Sequence, residues 1–149
     1  MSDSFQIPTV ANAPSLGVAV DKVAPENDSA LQLAYAIAQA ADDRKGGDIV
    51  ILQVGDVSYL ADYFVIVTGF SSVQVRAIAR TIEEEIEENW HRRPLRSEGQ
   101  LEGSWIVQDF GEVIVHIFLP REREFYNLEA FWGHAQQIDY VPPEISSGS

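Results

Sequence analysis

The stretch Trp105-Ile-Val-Gln-Asp-Phe-Gly-Glu-Val-Ile-Val-His-Ile-Phe-Leu-Pro120, continued by Arg121-Glu-Arg-Glu-Phe-Tyr-Asn-Leu-Glu-Ala-Phe-Trp132, decides how this chain folds. Its first half reads as two buried strands, Trp105 to Phe110 and Val113 to Leu119, joined by a tight turn at Gly111. Its second half predicts a helix from Glu122 to Gln136, with Phe125, Leu128, Phe131 or Trp132, and Ala135 turned inward. A period of two puts Trp105, Val107 and Asp109 on one strand face and Ile106, Gln108 and Phe110 on the other. A face mixing Trp, Val and a carboxylate suits an interface patch, where Trp dominates the energetics and Asp sets register. Burial of Trp105 in the core is the other reading, and composition on its own favours it. The stretch holds no nucleophile–base pair, metal-ligand cluster or phosphate loop, so it reads as a segment that works by binding.

Upstream, Asn27 or Asp28 can cap a helix in which Leu31, Ala34, Tyr35, Ala38 and Ala41 recur at three- and four-residue spacing, ended by Gly46-Gly47. Ile49 to Val54 and Tyr63 to Thr68 are β-branched runs of the kind covered on both faces, linked by the polar segment Gly55 to Asp62. Ser71-Ser-Val-Gln74 has the form of a capping box. The helix it opens sets Ile78, Ile82, Ile86 and Trp90 four apart, a stripe that faces a sheet. Pro94 stops that helix, and Leu95 to Glu98 reads as a short strand. The order α-β-β-α-β-β-β-α predicts an α/β fold, a mixed sheet of about five strands with helices packed on it. Residues 1–26, with Pro8, Pro14 and Pro25, read as a flexible leader, residues 27–140 as one domain, and residues 141–149 as a disordered tail.

Charge narrows the choice of partner. Lys and Arg total 10 against 23 Asp and Glu, a formal net charge of −13. Direct DNA binding is disfavoured, little or no RNA binding is expected, and docking on anionic lipid is disfavoured too, because all three gain affinity by neutralising phosphate. A basic protein partner is attracted instead, chiefly through faster association, and solubility alone is the other reading of the charge. The chain has no cysteine, which excludes disulfides and thiolate metal sites and fits the reducing cytoplasm. No apolar run approaches the roughly 18 residues that span a bilayer. Lys22 is the first basic side chain, so no targeting peptide is expected.

The remaining candidates for chemistry each have a structural explanation. His116, mid-strand, fits a hydrogen-bonded core or a semi-exposed imidazole better than a catalytic one, and His91 follows Trp90 where a helix C-terminus favours it. The acidic run Glu83 to Glu88 wraps a helix whose inner face is Ile82 and Ile86, which makes it a solvated surface. Thr68-Gly-Phe-Ser-Ser72 has one glycine and no lysine, and capping accounts for its serines. Asp56 and Asp62 suit hydrogen bonds to turn amides, and Arg121-Glu-Arg-Glu124 suits exposed ion pairs of small energetic value. No cofactor and no metal are expected from these residues.

Taken together the segments resemble the ribosomal silencing factor family, also called Iojap-like, over about residues 29 to 140. The resemblance is carried by Asp56-Val-Ser-Tyr-Leu-Ala-Asp-Tyr-Phe-Val-Ile-Val-Thr-Gly69, Ser71-Ser72 with Val75, Gly103 to Phe118, Phe125-Tyr-Asn-Leu-Glu129 and Trp132. Phe70, where many members carry a small residue, and Gln108-Asp109-Phe110 are mild departures. The resemblance implies a nucleotidyltransferase-like fold without the activity. The strands agree, since they offer no Asp-x-Asp or Asp-x-Glu pair to hold two metal ions, and the spaced acidic pairs at Glu83 to Glu87 and Glu122/Glu124 sit on or beside helices. It implies a partner, protein fourteen of the large ribosomal subunit, and a role in blocking the joining of the small subunit when nutrients are scarce. It also implies a homodimer, a link to large-subunit biogenesis, and a contact patch of Trp105, Asp109, Gly111, Tyr126, Leu128 and Trp132. A small nucleotide-binding or nucleotidyltransferase-like enzyme on the same fold is the alternative, separable by incubation with metal and labelled nucleotide.

Overall fold

The computed structural model describes residues 28–56 and 59–142. The leader at 1–26, Asn27 as a cap, and tail residues 143–149 lie outside the described residues. Helix α1 (Ser29–Asp43) is capped by Asp28, whose Oδ1 accepts the Leu31 amide at 3.1 Å. Leu33, Ala34, Ile37, Ala38 and Ala41 form its buried stripe, whereas Tyr35, placed in the stripe by spacing, is 39% exposed. Strands β1 (Gly47–Gln53) and β2 (Tyr63–Thr68) follow. Every β2 residue is buried, as a two-sided strand requires, while β1 is fully buried only at Ile51 and Leu52 because its outer neighbour is a short edge strand.

Helix α2 (Ser72–Trp90) begins where Ser71 Oγ accepts the Gln74 amide at 3.0 Å. Gln74 Oε1 completes the box on the amide of Phe70 at 2.7 Å, one residue further back than Ser71. Ile78, Ile82 and Ile86 are buried and Trp90 packs at the margin of the core. His91 closes the helix in the left-handed conformation (φ 57°), its amide donating to Glu87 O at 3.0 Å. Strands β3 (Arg96–Glu98), β4 (Trp105–Asp109) and β5 (Val113–Phe118) come next, the last two joined through Gly111 at φ +98°.

The expected long final helix is broken. It becomes α3 (Pro120–Tyr126) and α4 (Leu128–Phe131), followed by a strand β6 (Gln136–Asp139). Asn127 sits between the helices at φ 44°, ψ 60°, a conformation Asn tolerates, and its side chain accepts the Ala130 amide at 3.3 Å to start α4. The bend turns Phe125 outward, at 79% exposed, against the inward placement that helical spacing predicts; of the alternatives Phe131 and Trp132 it is Trp132 that packs inward, with Leu128 and Ala135, while Phe131 is 75% exposed. The sheet therefore has six strands among the described residues, in the order β3-β4-β5-β2-β1-β6. β2 and β5 run parallel across the α2 crossover, and the other pairs are antiparallel. Helices α1 and α2 bury Ile51, Val65, Val67, Ile106, Val115 and Ile117 on one sheet face. The other face carries Leu52, Phe64, Ile66 and Phe118, with the α3–α4 segment laid over part of it.

Candidate functional site

The alternation read from the sequence of β4 holds: Ile106, Gln108 and Phe110 are buried toward the helices, and Trp105, Val107 and Asp109 are half-buried on the opposite face. Pairing with β5 sets Trp105 beside Phe118, Val107 beside His116 and Asp109 beside Ile114. Trp105 is caged by rings, with its centroid 4.8 Å from Phe118 and 4.6 Å from Tyr126. Its Nε1 donates to Nδ1 of His116 at 3.2 Å. Toward β3 the face is uncovered, leaving a shallow cavity of about 220 Å³ lined by Arg96, Glu98, Val107, Asp109 and Ile114.

Asp109 shapes the end of this cavity. Its Oδ1 accepts the Gly111 amide at 2.8 Å, and Arg96 approaches Oδ2 at 3.9 Å, a loose pair that leaves one carboxylate oxygen available. Gly111 is a turn-former: its φ of +98° disfavours any side chain. Behind the turn Arg92 makes a forked pair with Glu112 at 2.7 and 2.8 Å. Those hydrogen bonds hold the Glu112 carboxyl below the usual range.

Tyr126, 48% exposed, forms the rim on the α3 side. Leu128 and Trp132 lie one layer in, Trp132 edge-on to Phe64 at 5.5 Å, so they support the face more than they line it. Of the six residues named from the sequence, Trp105, Asp109 and Tyr126 border the open face. Gly111 sets its turn, and Leu128 and Trp132 brace it from below.

Two side chains that matter here escape sequence reading. Arg123, taken with its neighbours for an exposed pair, is only 12% exposed in its side chain, pairs with Glu129 at 3.0 and 3.2 Å, and donates to Thr68 Oγ1 at 2.8 Å. It pins α3 and α4 to the sheet. His116, for which the sequence leaves core and semi-exposed positions open, is buried with a specific hydrogen-bond partner in Trp105, and burial pushes its pKa down to about 4. No periodic signal marks either contact. At the other candidates, Asp62 serves the turn through its carbonyl, which accepts the Val54 and Gly55 amides at 2.9 and 3.1 Å. Glu84, Glu87 and Glu88 are solvated around buried Ile86. Among the described residues no group of three or more His, Cys, Asp or Glu could hold a metal ion, and no helix is long and apolar enough to cross a membrane.

A mixed α/β sheet with two long helices on one face and a half-covered aromatic face on the other defines the class of this domain. Residues 27–148 match the family described as ribosomal silencing factor during starvation, and the chain belongs to that family. It is 43% identical over 102 residues to the ribosomal silencing factor RsfS of Bacillus subtilis (strain 168), covering 68% of this chain and 86% of that protein. A mouse protein named mitochondrial assembly of ribosomal large subunit protein 1 is 32% identical over 87 residues, 57% of this chain and 38% of the mouse protein. An X-ray crystal structure of a protein from Chromobacterium violaceum superposes with a TM-score of 0.67 at 30% identity, covering 80% of this chain and 98% of that one.

Proposed function

We propose that this chain regulates translation by docking, through its Trp105–Asp109 face, on protein fourteen of the large ribosomal subunit, where it blocks joining of the small subunit under nutrient limitation. The observation that carries the reading is Trp105 itself: a tryptophan half-buried among rings, beside an uncovered strip of Val107 and Ile114 with Asp109 at its edge. That is the composition of a protein-binding hot spot, an aromatic anchor with a polar rim. The net charge of −13 steers such a face toward a basic ribosomal protein and away from bare RNA. The name of the mouse relative supports the large subunit as the site of action, with assembly as a second outcome of the same docking. The place of action is the cytoplasm, where free subunits pair.

The role is binding, not catalysis. Nucleotidyl transfer needs carboxylates paired on a strand around two metals, and Asp109 gives one of its oxygens to the Gly111 amide. The exposed Phe125 and Phe131 offer a separate apolar surface for a second copy, so a homodimer in isolation is part of the proposal. Sucrose gradients test the main reading: the protein is expected with free large subunits and scarce on translating ribosomes. Recovery only at the top of the gradient overturns it, as does specific turnover of labelled nucleotide with metal.

A further inference from the structure

We propose that His116 is the positioning residue of the docking face, its Nδ1 accepting the Trp105 indole proton and so fixing which edge of the indole meets the partner. The inference rests on the docking reading above. An indole N–H can only donate, so a Trp105 Nε1 at 3.2 Å from His116 Nδ1 requires a bare Nδ1 and places the imidazole proton on Nε2. Nε2 is buried with no hydrogen-bond partner among the described residues.

That combination is informative. His116 is 9% exposed, stacked on Phe118 at 6.0 Å and edge-on to Phe64 at 5.0 Å, a slot that an apolar ring would fill without leaving a donor unpaired. The nitrogen that does have a partner is the one facing Trp105. Ring stacking with Phe118 and Tyr126 confines the indole plane but tolerates sliding and a flip of the ring within it. A hydrogen bond is directional and selects one flip. With that edge fixed, Val107 and Asp109 on the same strand face keep a constant relation to the anchor, which lowers the ordering cost of binding. Burial that holds His116 neutral keeps Nδ1 an acceptor across the neutral range.

The test uses the full chain labelled with nitrogen-15 and two variants. His116→Phe removes the acceptor, and His116→Asn returns an amide oxygen near the Nδ1 position. Long-range imidazole spectra are expected to show the Nε2–H tautomer in the native chain. Exchange of the Trp105 indole proton, assigned through Trp105→Phe, should quicken in His116→Phe and slow again in His116→Asn. Affinity for isolated protein fourteen should fall about three- to tenfold in His116→Phe, the range of one neutral hydrogen bond, and recover in His116→Asn. An Nδ1–H tautomer, or equal losses in both variants, or a His116→Phe chain that binds as the native one does, overturns the proposal. A native chain that fails to bind protein fourteen overturns the docking reading instead, and the tautomer and exchange rates then still decide whether His116 holds Trp105.

Discussion

Arg123 and Glu129 face each other across the bend at Asn127, with Nε and Nη2 donating to the two carboxylate oxygens at 3.2 and 3.0 Å. The same guanidinium reaches Thr68 Oγ1 on β2 at 2.8 Å, so a single side chain ties both short helices to the sheet. Neither helix is long enough to hold itself. α3 spans Pro120–Tyr126 and α4 Leu128–Phe131, and isolated helices of that size are marginal in water. Their placement, and with it that of Tyr126 against Trp105, depends on this fork.

Glu129→Gln is therefore expected to cost about 1–2 kcal/mol, discounted from a fully buried pair because the Glu129 side chain is 32% exposed. Arg123→Met removes both connections and should cost more. Denaturant melts give the stabilities, and hydrogen exchange at residues 120–131 should rise ahead of the rest of the chain. Exchange that rises uniformly would place the effect in global stability and not in the fork.

Acid should weaken the fold through His116. His116 has its pKa lowered to about 4 in the folded chain by burial, against the ordinary 6.5 that it regains on unfolding. Between those values the unfolded chain binds a proton that the folded chain refuses. Stability is full above pH 6.5 and falls as the pH drops toward 4, by on the order of 3 kcal/mol in all. Glu112, whose folded pKa is lowered by Arg92, adds a loss of the same sign only further down, below its ordinary 4.5. Urea melts between pH 7 and 5 read this slope, and His116→Asn should flatten it, while Glu85, its carboxyl held above the ordinary value by burial and Asp43, contributes with the opposite sign in both chains. An equal slope in native and variant chains would assign it elsewhere.

Much of this fold is written in periodicity. The Leu31–Ala34–Ala38–Ala41 positions of α1, the Ile78–Ile82–Ile86 stripe of α2 and the Tyr63–Thr68 run of β2 pack as their spacing implies, because each is repeated often enough to bury one face. Residues 120–139 are not legible in that way. Phe125, Leu128 and Trp132 keep helical spacing, yet the chain bends at Asn127 because one left-handed residue costs little and lets Arg123 meet Glu129. β6 offers a single apolar residue, Ile138, and exists because β1 needs an outer partner, a requirement set far away in sequence. For Trp105 the alternation identifies the face but not what covers it. The cover is Tyr126, delivered by that same bend.

Phe131, beside Trp132, and Phe125, beside Tyr126, put two phenylalanine rings in solvent on α4 and α3, apolar surface that a second copy can cover. Sedimentation at tens of micromolar is expected to give a dimer mass, and Phe131→Ser to shift it to monomer with little loss of fold. A monomer mass for the native chain would leave those rings without a second copy.

Association with the ribosomal partner should slow with salt. A charge of −13 lies mostly on solvated carboxylates such as Glu84, Glu87 and Glu88, which steer from a distance but contribute little in contact. Stopped-flow rates are expected to drop about tenfold between roughly 50 mM and 500 mM salt, with dissociation changing far less. Salt-independent association would remove steering from the account and leave the contact face untouched.

Affinity of Trp105→Ala for protein fourteen of the large subunit, measured beside its melting curve, tests the docking face most directly. The indole touches Phe118, Tyr126 and His116, so truncation is expected to lower stability moderately while the chain stays folded. Binding should weaken by about thirtyfold or more, the equivalent of roughly 2 kcal/mol at a hot spot. Asp109→Asn, which keeps the acceptor for the Gly111 amide and removes the charge, should weaken it less. A folded Trp105→Ala chain that binds as tightly as the native protein would contradict the account and move the contact to the exposed rings of α3 and α4.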